Sequence, residues 1–128
     1  MSKASCTFCA LPAERILLLV DEAMAIRDAF PVSQGYTLVF PCRHVGSFFK
    51  LTESERACVL QLLAQAKADL DLSFYPNGFN IGIDDGDAVR LTFQHLHLQL
   101  IPRYRGDASD PRGGVRWVLP AKAKYWTE

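Results

Sequence analysis

Two histidines and a glutamine stand at alternate positions late in the chain, as His95, His97 and Gln99. Successive side chains of an extended segment point to opposite sides, so these three polar groups are expected to share one face. Leu96, Leu98 and Leu100 would then share the other face. An imidazole can ligate a metal ion, transfer a proton or act as a nucleophile. The pattern predicts a strand with one chemically active face and one core face.

The first function this spacing suggests is attack on phosphorus. A neutral imidazole that is held by a hydrogen bond at one ring nitrogen can present the other nitrogen to an electrophile. The alternative interpretation is two hydrogen-bonded histidines on an ordinary polar sheet face. Two histidines at this spacing, followed directly by Leu98-Gln99-Leu100-Ile101-Pro102-Arg103, favour the chemical interpretation.

A second motif, Cys6-x-x-Cys9, lies near the start of the chain. A tight turn of this kind lets two thiolates share one tetrahedral zinc ion. A redox pair usually follows a strand and opens a helix, whereas this pair precedes the first apolar run. If His97 is reserved for chemistry, His44 and His95 are the histidines left to complete a zinc site. The spacing alone leaves zinc, a redox pair and two free thiols open.

The elements that must position these residues are mostly strands. Short apolar or alternating runs predict strands at 16–20, 23–27, 36–40, 79–83 and 92–101, the last of which carries both histidines. Thr52 and Glu55 have the form of a capping box and predict the start of a helix. Apolar residues then repeat at helical spacing until the helix ends near Asp71: Val59, Leu62, Leu63, Ala66 and Leu70. We therefore predict an α+β fold, a mostly antiparallel sheet with one main helix, in a single domain over residues 1–128.

The charge balance limits the partners that the protein could have. Fourteen basic and fourteen acidic residues give a formal net charge of zero, which argues against binding to duplex nucleic acid. No stretch approaches the roughly 20 apolar residues of a membrane span, and the polar start of the chain lacks an apolar signal region. We expect a cytoplasmic protein with no membrane association. Cys42 and Cys58 are interpreted as structural thiols.

The residues after Arg103 form a tail rich in Gly, Asp, Arg and Pro that lacks the periodicity of a core element. Such a segment is expected to pack on the surface or against another subunit. Tyr125 and Trp126 would be unusual in a free tail, because exposed aromatic side chains at a terminus usually dock.

Taken together, these motifs resemble the histidine-triad superfamily of nucleotide hydrolases and transferases. The resemblance covers nearly the whole chain: Cys6-Thr7-Phe8-Cys9, Gly35-Tyr36-Thr37-Leu38-Val39-Phe40-Pro41 with Arg43-His44, Gly78-Phe79-Asn80-Ile81-Gly82, and His95 to Arg103. It implies a histidine-triad fold and a nucleotide substrate. It also implies that His97 attacks the α-phosphorus of a nucleoside phosphate, such as a dinucleoside polyphosphate, and carries a nucleotidyl group covalently.

Gln99 departs from the family, whose hydrolases usually have a third histidine at this position. The His-x-His-x-Gln form looks like the branch that contains galactose-1-phosphate uridylyltransferase and the dinucleoside tetraphosphate phosphorylases. A glutamine can donate a hydrogen bond to a phosphate oxygen, but it has no proton to titrate. The resemblance leaves water and phosphate open as the acceptor of the nucleotidyl group.

The same resemblance implies further site residues. In the uridylyltransferase branch, structural zinc is held by residues that correspond to Cys6, Cys9, His44 and His95. Positions near the nucleotide correspond to Asp28, Asn80 and Asp84. Val89-Arg90-Leu91 replaces the usual Ala-Gly-Gln, so Leu91 stands where the family has a glutamine contact. Arg90 is then either a phosphate contact or solvated, and Thr92 is a hydroxyl donor to phosphate.

Two other functions stay open at this point. Gln99 and Leu91 make possible a non-catalytic, zinc-stabilised interaction protein that binds nucleotides. A redox module built on Cys6 and Cys9 is the other. Members of the family commonly form homodimers, and the arginine-rich, aromatic tail suits a role between subunits.

Overall fold

In the part of the chain that the structure describes, five antiparallel strands lie beside one long helix. A computed structural model describes residues 6–89 and 94–127. The elements are β1 (Ile16–Val20), β2 (Ala23–Arg27), β3 (Thr37–Pro41), α1 (Glu53–Phe74), β4 (Gly78–Ile83) and β5 (Leu98–Arg103). The strands form one sheet in the order β1-β2-β3-β5-β4, and each neighbouring pair runs antiparallel. The predicted α+β fold is confirmed.

Helix α1 covers one face of the sheet. Its predicted apolar stripe is buried, with no exposure at four positions: Val59, Leu62, Ala66 and Leu70. These side chains pack in one cluster with the three leucines that alternate with His95, His97 and Gln99. Burial of such side chains contributes about 1.5–3 kcal/mol each. The leucines therefore fix the direction in which the intervening polar side chains point.

The opposite face of the sheet is covered by the amino-terminal segment. Alternate residues of β3, Leu38 and Phe40, join Cys6 and Phe8 in a second cluster, while Val39 belongs to the helix side. Phe8 stacks on Phe40 with ring centroids 4.6 Å apart. The Cys6-x-x-Cys9 motif is thereby held against the sheet face on which the histidines lie.

The predicted strand at 92–101 is wrong at its beginning. Strand β5 begins at Leu98, so His95 and His97 precede it, and residues 90–93 lie outside the described part of the chain. The backbone NH of Leu96 donates to the carbonyl of Val45 at 2.7 Å, which is a contact to a loop. The alternation of faces nevertheless continues through this segment, because Leu96 is buried with the helix-side core. The three polar residues therefore share a face although only Gln99 lies in a strand.

Helix α1 begins as predicted but extends beyond Asp71. The Thr52 hydroxyl accepts from the backbone NH of Glu55, and the Glu55 carboxylate accepts from the NH of Thr52, which completes the capping box. The helix continues to Phe74 and ends at Tyr75, whose φ of 54° is left-handed. The next residue, Pro76, cannot continue a helix, so the helix ends just before it.

Glu55 also forms an ion pair that predicts a dependence of stability on pH. Arg43 donates to both carboxylate oxygens at 2.8 and 2.9 Å and, with Thr52, lowers the pKa of Glu55 to about 2. Because the pKa of the folded state is the lower one, this stabilisation is present above about pH 4.5 and is lost as pH falls toward 2. Arg43 is half exposed, so solvent screens the ion pair. We therefore expect Glu55→Gln to lower the free energy of unfolding by about 1–2 kcal/mol at pH 7. Urea unfolding between pH 2 and 7 would measure both effects.

The matched control is Glu53→Gln, which changes an exposed carboxylate in the same helical turn. It should cost less than about 1 kcal/mol, as expected for a charge near a helix end. Equal losses in the two variants at pH 7 would contradict a special role for the Arg43 pair.

The tail packs on the protein's own surface through two 3₁₀ turns, Gly114–Val118 and Pro120–Lys122. Ala123 is fully buried, and Arg116 donates to the carbonyls of Lys122 and Ala123 at 2.8 Å. Arg112 lies 4.3 Å from the ring centre of Trp126, as in a cation–π contact. The aromatic residues at the end of the chain therefore have partners within the tail. Among residues 6–89 and 94–127, we find no helix long and apolar enough to span a bilayer.

Candidate functional site

Four potential metal ligands come together where the amino-terminal segment meets the sheet. One donor atom from each of Cys6, Cys9, His44 and His95 lies within 4.8 Å of the others. The Sγ atoms of both cysteines are 3.5 Å from His95 Nδ1, and Cys9 Sγ is 3.2 Å from His44 Nδ1. Sulfur and nitrogen ligands on a tetrahedral zinc ion are about 3.6 Å apart. The donor set and spacing therefore fit zinc.

The ring of His95 is oriented for such a site. Its Nε2–H donates to the carbonyl of Pro41 at 2.7 Å, because a carbonyl can only accept. Nδ1 is consequently the nitrogen with a free lone pair, and it faces the two sulfurs. Burial is the main cause that lowers the pKa of His95, which favours the neutral imidazole that a metal ion binds. A backbone carbonyl on the distal nitrogen is the usual support of a metal-bound histidine.

His97 lies two residues further along the same face. Its Nδ1–H donates to the carbonyl of His95 at 3.0 Å, which leaves the Nε2 lone pair unused by that contact. The ring is half-buried and lies 5.1 Å from that of Phe8, centre to centre. The imidazole is thus fixed at one nitrogen and can present the other to a substrate.

Gln99 is held between two partners. The Tyr36 hydroxyl donates to its Oε1, and its Nε2 donates to Asp84 Oδ2 at 3.3 Å. The register of the sheet accounts for the first contact, since Gln99 pairs with Leu38 and Tyr36 lies two residues before Leu38 on the same face. Burial is the main cause that raises the pKa of Tyr36, and the negative charges of Asp28 and Asp84 raise it further.

A groove of about 430 Å³ lies on this face beside Gln99. Asn80 and Asp84 from β4 and its following turn line it together with Gln99, and the tail contributes its opposite wall through Val115, Trp117 and Val118. The Asn80 carboxamide oxygen accepts from Arg103 at 2.6 Å. The structure therefore brings two of the predicted nucleotide contacts, Asn80 and Asp84, to the same groove as Gln99.

The other predicted nucleotide contacts have different outcomes. Asp28 follows β2, its backbone NH donates to the carbonyl of Tyr36 at 3.0 Å, and it is not among the residues that line the groove. Arg90 and Thr92 lie outside the described residues, so their predicted contacts stay predictions.

Sequence reasoning missed three neighbours of the predicted site residues. Tyr36 contacts Gln99, Phe8 packs against the rings of His95 and His97, and the carbonyl of Pro41 orients His95. Phe8 sits inside the Cys-x-x-Cys motif, which was a usable signal. The contacts of Tyr36 and of the Pro41 carbonyl depend on how β3 lies beside β5 and the segment just before it. No local sequence pattern encodes that placement.

Comparison with known proteins agrees with this geometry. The family model described as HIT domain matches residues 12–106. A HIT-like protein of uncharacterised function from Mycoplasma genitalium is 31% identical over 105 residues, which are 79% of this chain and 74% of that protein. AP-4-A phosphorylase from Mycobacterium tuberculosis is 30% identical over 86 residues, which are 66% of this chain but 44% of the phosphorylase.

Among solved structures, a zinc-bound histidine triad family protein from Mycobacterium smegmatis matches with a TM-score of 0.74 and 28% identity. The match covers 85% of this chain and 82% of that protein. The motif order, the sheet with its single long helix and the match over most of the chain lead to one conclusion: this protein belongs to the HIT family.

Proposed function

We propose that this protein is a nucleotide hydrolase or nucleotidyltransferase that cleaves at the α-phosphate of nucleoside phosphates, such as dinucleoside polyphosphates. The observation that carries the proposal is the orientation of His97. Its Nδ1–H is held by the carbonyl of His95, so Nε2 is the nucleophilic nitrogen, and it lies on the face that continues to Gln99 and the groove. The similarity to AP-4-A phosphorylase supports a substrate with linked phosphates.

The reaction proceeds in two displacements. The Nε2 lone pair of His97 attacks the α-phosphorus, an N–P bond forms, and the P–O bond to the leaving phosphate breaks with its electron pair on that oxygen. An acceptor oxygen then attacks the same phosphorus and breaks the N–P bond, which restores the imidazole. The hydrogen bond from Nδ1–H to His95 stabilises the positive charge that develops on the ring during the first step.

Gln99 favours phosphate over water as the acceptor. Its amide can donate a hydrogen bond to a phosphate oxygen, but it cannot remove a proton from water. Inorganic phosphate at neutral pH already carries a deprotonated oxygen and needs no general base. We therefore propose that phosphate accepts the nucleotidyl group more readily than water does.

Asp28, Asn80 and Asp84 are proposed as contacts to the ribose and phosphates, together with Arg90 and Thr92. Asn80 and Asp84 line the groove, and the backbone NH of Asp28 donates to the carbonyl of Tyr36. Hydroxyl groups of a ribose donate well to carboxylate and carboxamide oxygens, which suits these side chains. We further propose that the chain folds as one domain and acts as a homodimer.

Zinc is proposed as a structural ion on Cys6, Cys9, His44 and His95. When bound, it would join the amino-terminal segment to the segment that carries His97 and would take no part in the reaction. The support is the convergence of four donor atoms and the carbonyl that orients His95, together with the zinc-bound relative.

A nucleotide screen with product identification tests the proposed reaction. A dinucleoside tetraphosphate incubated in ¹⁸O-water without phosphate should yield a nucleoside monophosphate that carries the label, because the attack is at the α-phosphorus. With inorganic phosphate, we expect a nucleoside diphosphate, formed at least about ten-fold faster. Label found only in the larger product would contradict attack at the α-phosphorus. Equal rates with and without phosphate would contradict the proposed acceptor alone.

A further inference from the structure

Tyr36 lies just before β3, is only 7% exposed, and contacts the side chain of Gln99. We propose that Tyr36 is a positioning residue, which fixes the Gln99 amide so that its NH₂ group faces Asp84 and the groove. This inference rests on the proposed role of Gln99 as a phosphate contact. It assigns to a buried tyrosine a function that no motif in the sequence indicates.

The orientation of the amide follows from its two partners. An aspartate carboxylate only accepts hydrogen bonds, so the end of the amide that lies 3.3 Å from Asp84 Oδ2 must be the NH₂ group. Oε1 therefore faces the Tyr36 hydroxyl, which donates to it. One hydrogen of the NH₂ group serves Asp84, and the second is left for a substrate oxygen.

Rotating the amide by half a turn would remove both contacts. Oε1 would then face the carboxylate of Asp84, and two acceptors would oppose each other. The NH₂ group would face the Tyr36 hydroxyl, whose own proton would need a new acceptor on the buried side of the sheet. A buried polar group without a partner is costly, so the pair of contacts selects one orientation.

Tyr36 is suited to remain the donor. It belongs to the apolar cluster with Leu38 and Phe40, and burial raises its pKa, with the charges of Asp28 and Asp84 contributing in the same direction. The phenol therefore keeps its proton throughout the neutral range. A permanent donor on Oε1 also polarises the amide and strengthens its NH₂ group as a donor.

The oriented amide of Gln99 is expected to act in the transition state. A hydrogen-bond donor that is already oriented stabilises charge on a phosphate oxygen without reorganising. An amide that rotates freely would present its oxygen part of the time and repel that charge. Loss of the Tyr36 hydroxyl should therefore lower kcat more than it raises KM.

A double-mutant cycle tests this role with a dinucleoside tetraphosphate as substrate. Tyr36→Phe should lower kcat about five- to ten-fold with KM changed less than about two-fold. In the background of Gln99→Ala, the same substitution should change kcat less than about two-fold, because the amide it orients is gone. Tyr104→Phe is the matched control, since that hydroxyl donates to the backbone carbonyl of Gln34, and its kcat should equal that of the wild type.

A second measurement does not depend on turnover. The side-chain NH₂ resonances of Gln99, assigned in a ¹⁵N NMR spectrum by their absence from Gln99→Ala, should shift in Tyr36→Phe and stay unchanged in Tyr104→Phe. Unchanged Gln99 resonances in Tyr36→Phe, or an equal loss of kcat in both backgrounds, would overturn the proposal. If the wild type cleaves no nucleotide, the proposed function fails, while the NMR result still decides whether Tyr36 orients Gln99.

Discussion

Replacing His97 with asparagine should reduce kcat by a factor on the order of 10⁴ or more, the scale of loss when a nucleophile is removed. Asparagine places an NH₂ group near the position of Nδ1, so the hydrogen bond to the His95 carbonyl can persist while Nε2 is absent. Because the fold keeps that contact, KM should change less than about five-fold. Steady-state kinetics with the best substrate of the nucleotide screen would measure both values.

His97→Gln is the complementary variant, since its longer side chain brings an amide toward the position of Nε2. An amide nitrogen has no available lone pair, so this variant should be as inactive as His97→Asn. The midpoint of thermal unfolding should stay within a few degrees of the wild type in both, because His97 is only half-buried. Retention of more than about a tenth of the activity in either would contradict a nucleophilic role.

Removal of zinc is the second change for which a large effect is expected. The purified protein should contain one zinc ion per chain, and its removal by a chelator should lower the free energy of unfolding by about 5 kcal/mol or more. The reason is that a bound ion would link Cys6 and Cys9, in the amino-terminal segment, to His44 and His95. Metal analysis and unfolding of the native and stripped protein would measure this.

Cys9→Ser and Cys42→Ser form a matched pair for the zinc site. Cys9 lies within 3.5 Å of two histidine nitrogens, whereas Cys42 is exposed and its Sγ contacts the carbonyl of Asp21. Cys9→Ser should lose zinc, and Cys42→Ser should retain it. A protein that purifies without zinc, and that readily forms a disulfide between Cys6 and Cys9, would contradict the metal site and favour a redox pair.

The order of elements could be predicted because their patterns are local. The apolar repeat of α1, the capping box at Thr52 and the alternating runs of the strands each depend on neighbours in sequence. The predicted start of β5, at residue 92, was wrong for the same reason. An alternating pattern fits any extended segment, whether or not it pairs in a sheet. Just before β5, Leu96 donates its backbone NH to the carbonyl of Val45, a loop residue about fifty positions away in the sequence.

In the candidate site, too, local patterns identified some features and missed others. The His-x-His-x-Gln and Cys-x-x-Cys patterns identified most of the polar groups, but spacing alone could not associate His44 with the two cysteines. That association came from the family resemblance, and the structure places the four side chains together. The contact of Tyr36 with Gln99 was not predictable, because it depends on the register by which Leu38 pairs with Gln99.

The central claim is a nucleotidyl group on Nε2 of His97, and mass spectrometry of the protein after rapid mixing with substrate tests it most directly. Quenching in alkali preserves a phosphoramidate, which acid would hydrolyse. We expect a mass increase of one nucleotidyl group that maps to His97 and is absent from His97→Asn. An adduct on another residue, or turnover by His97→Asn at the wild-type rate without an adduct, would contradict the account.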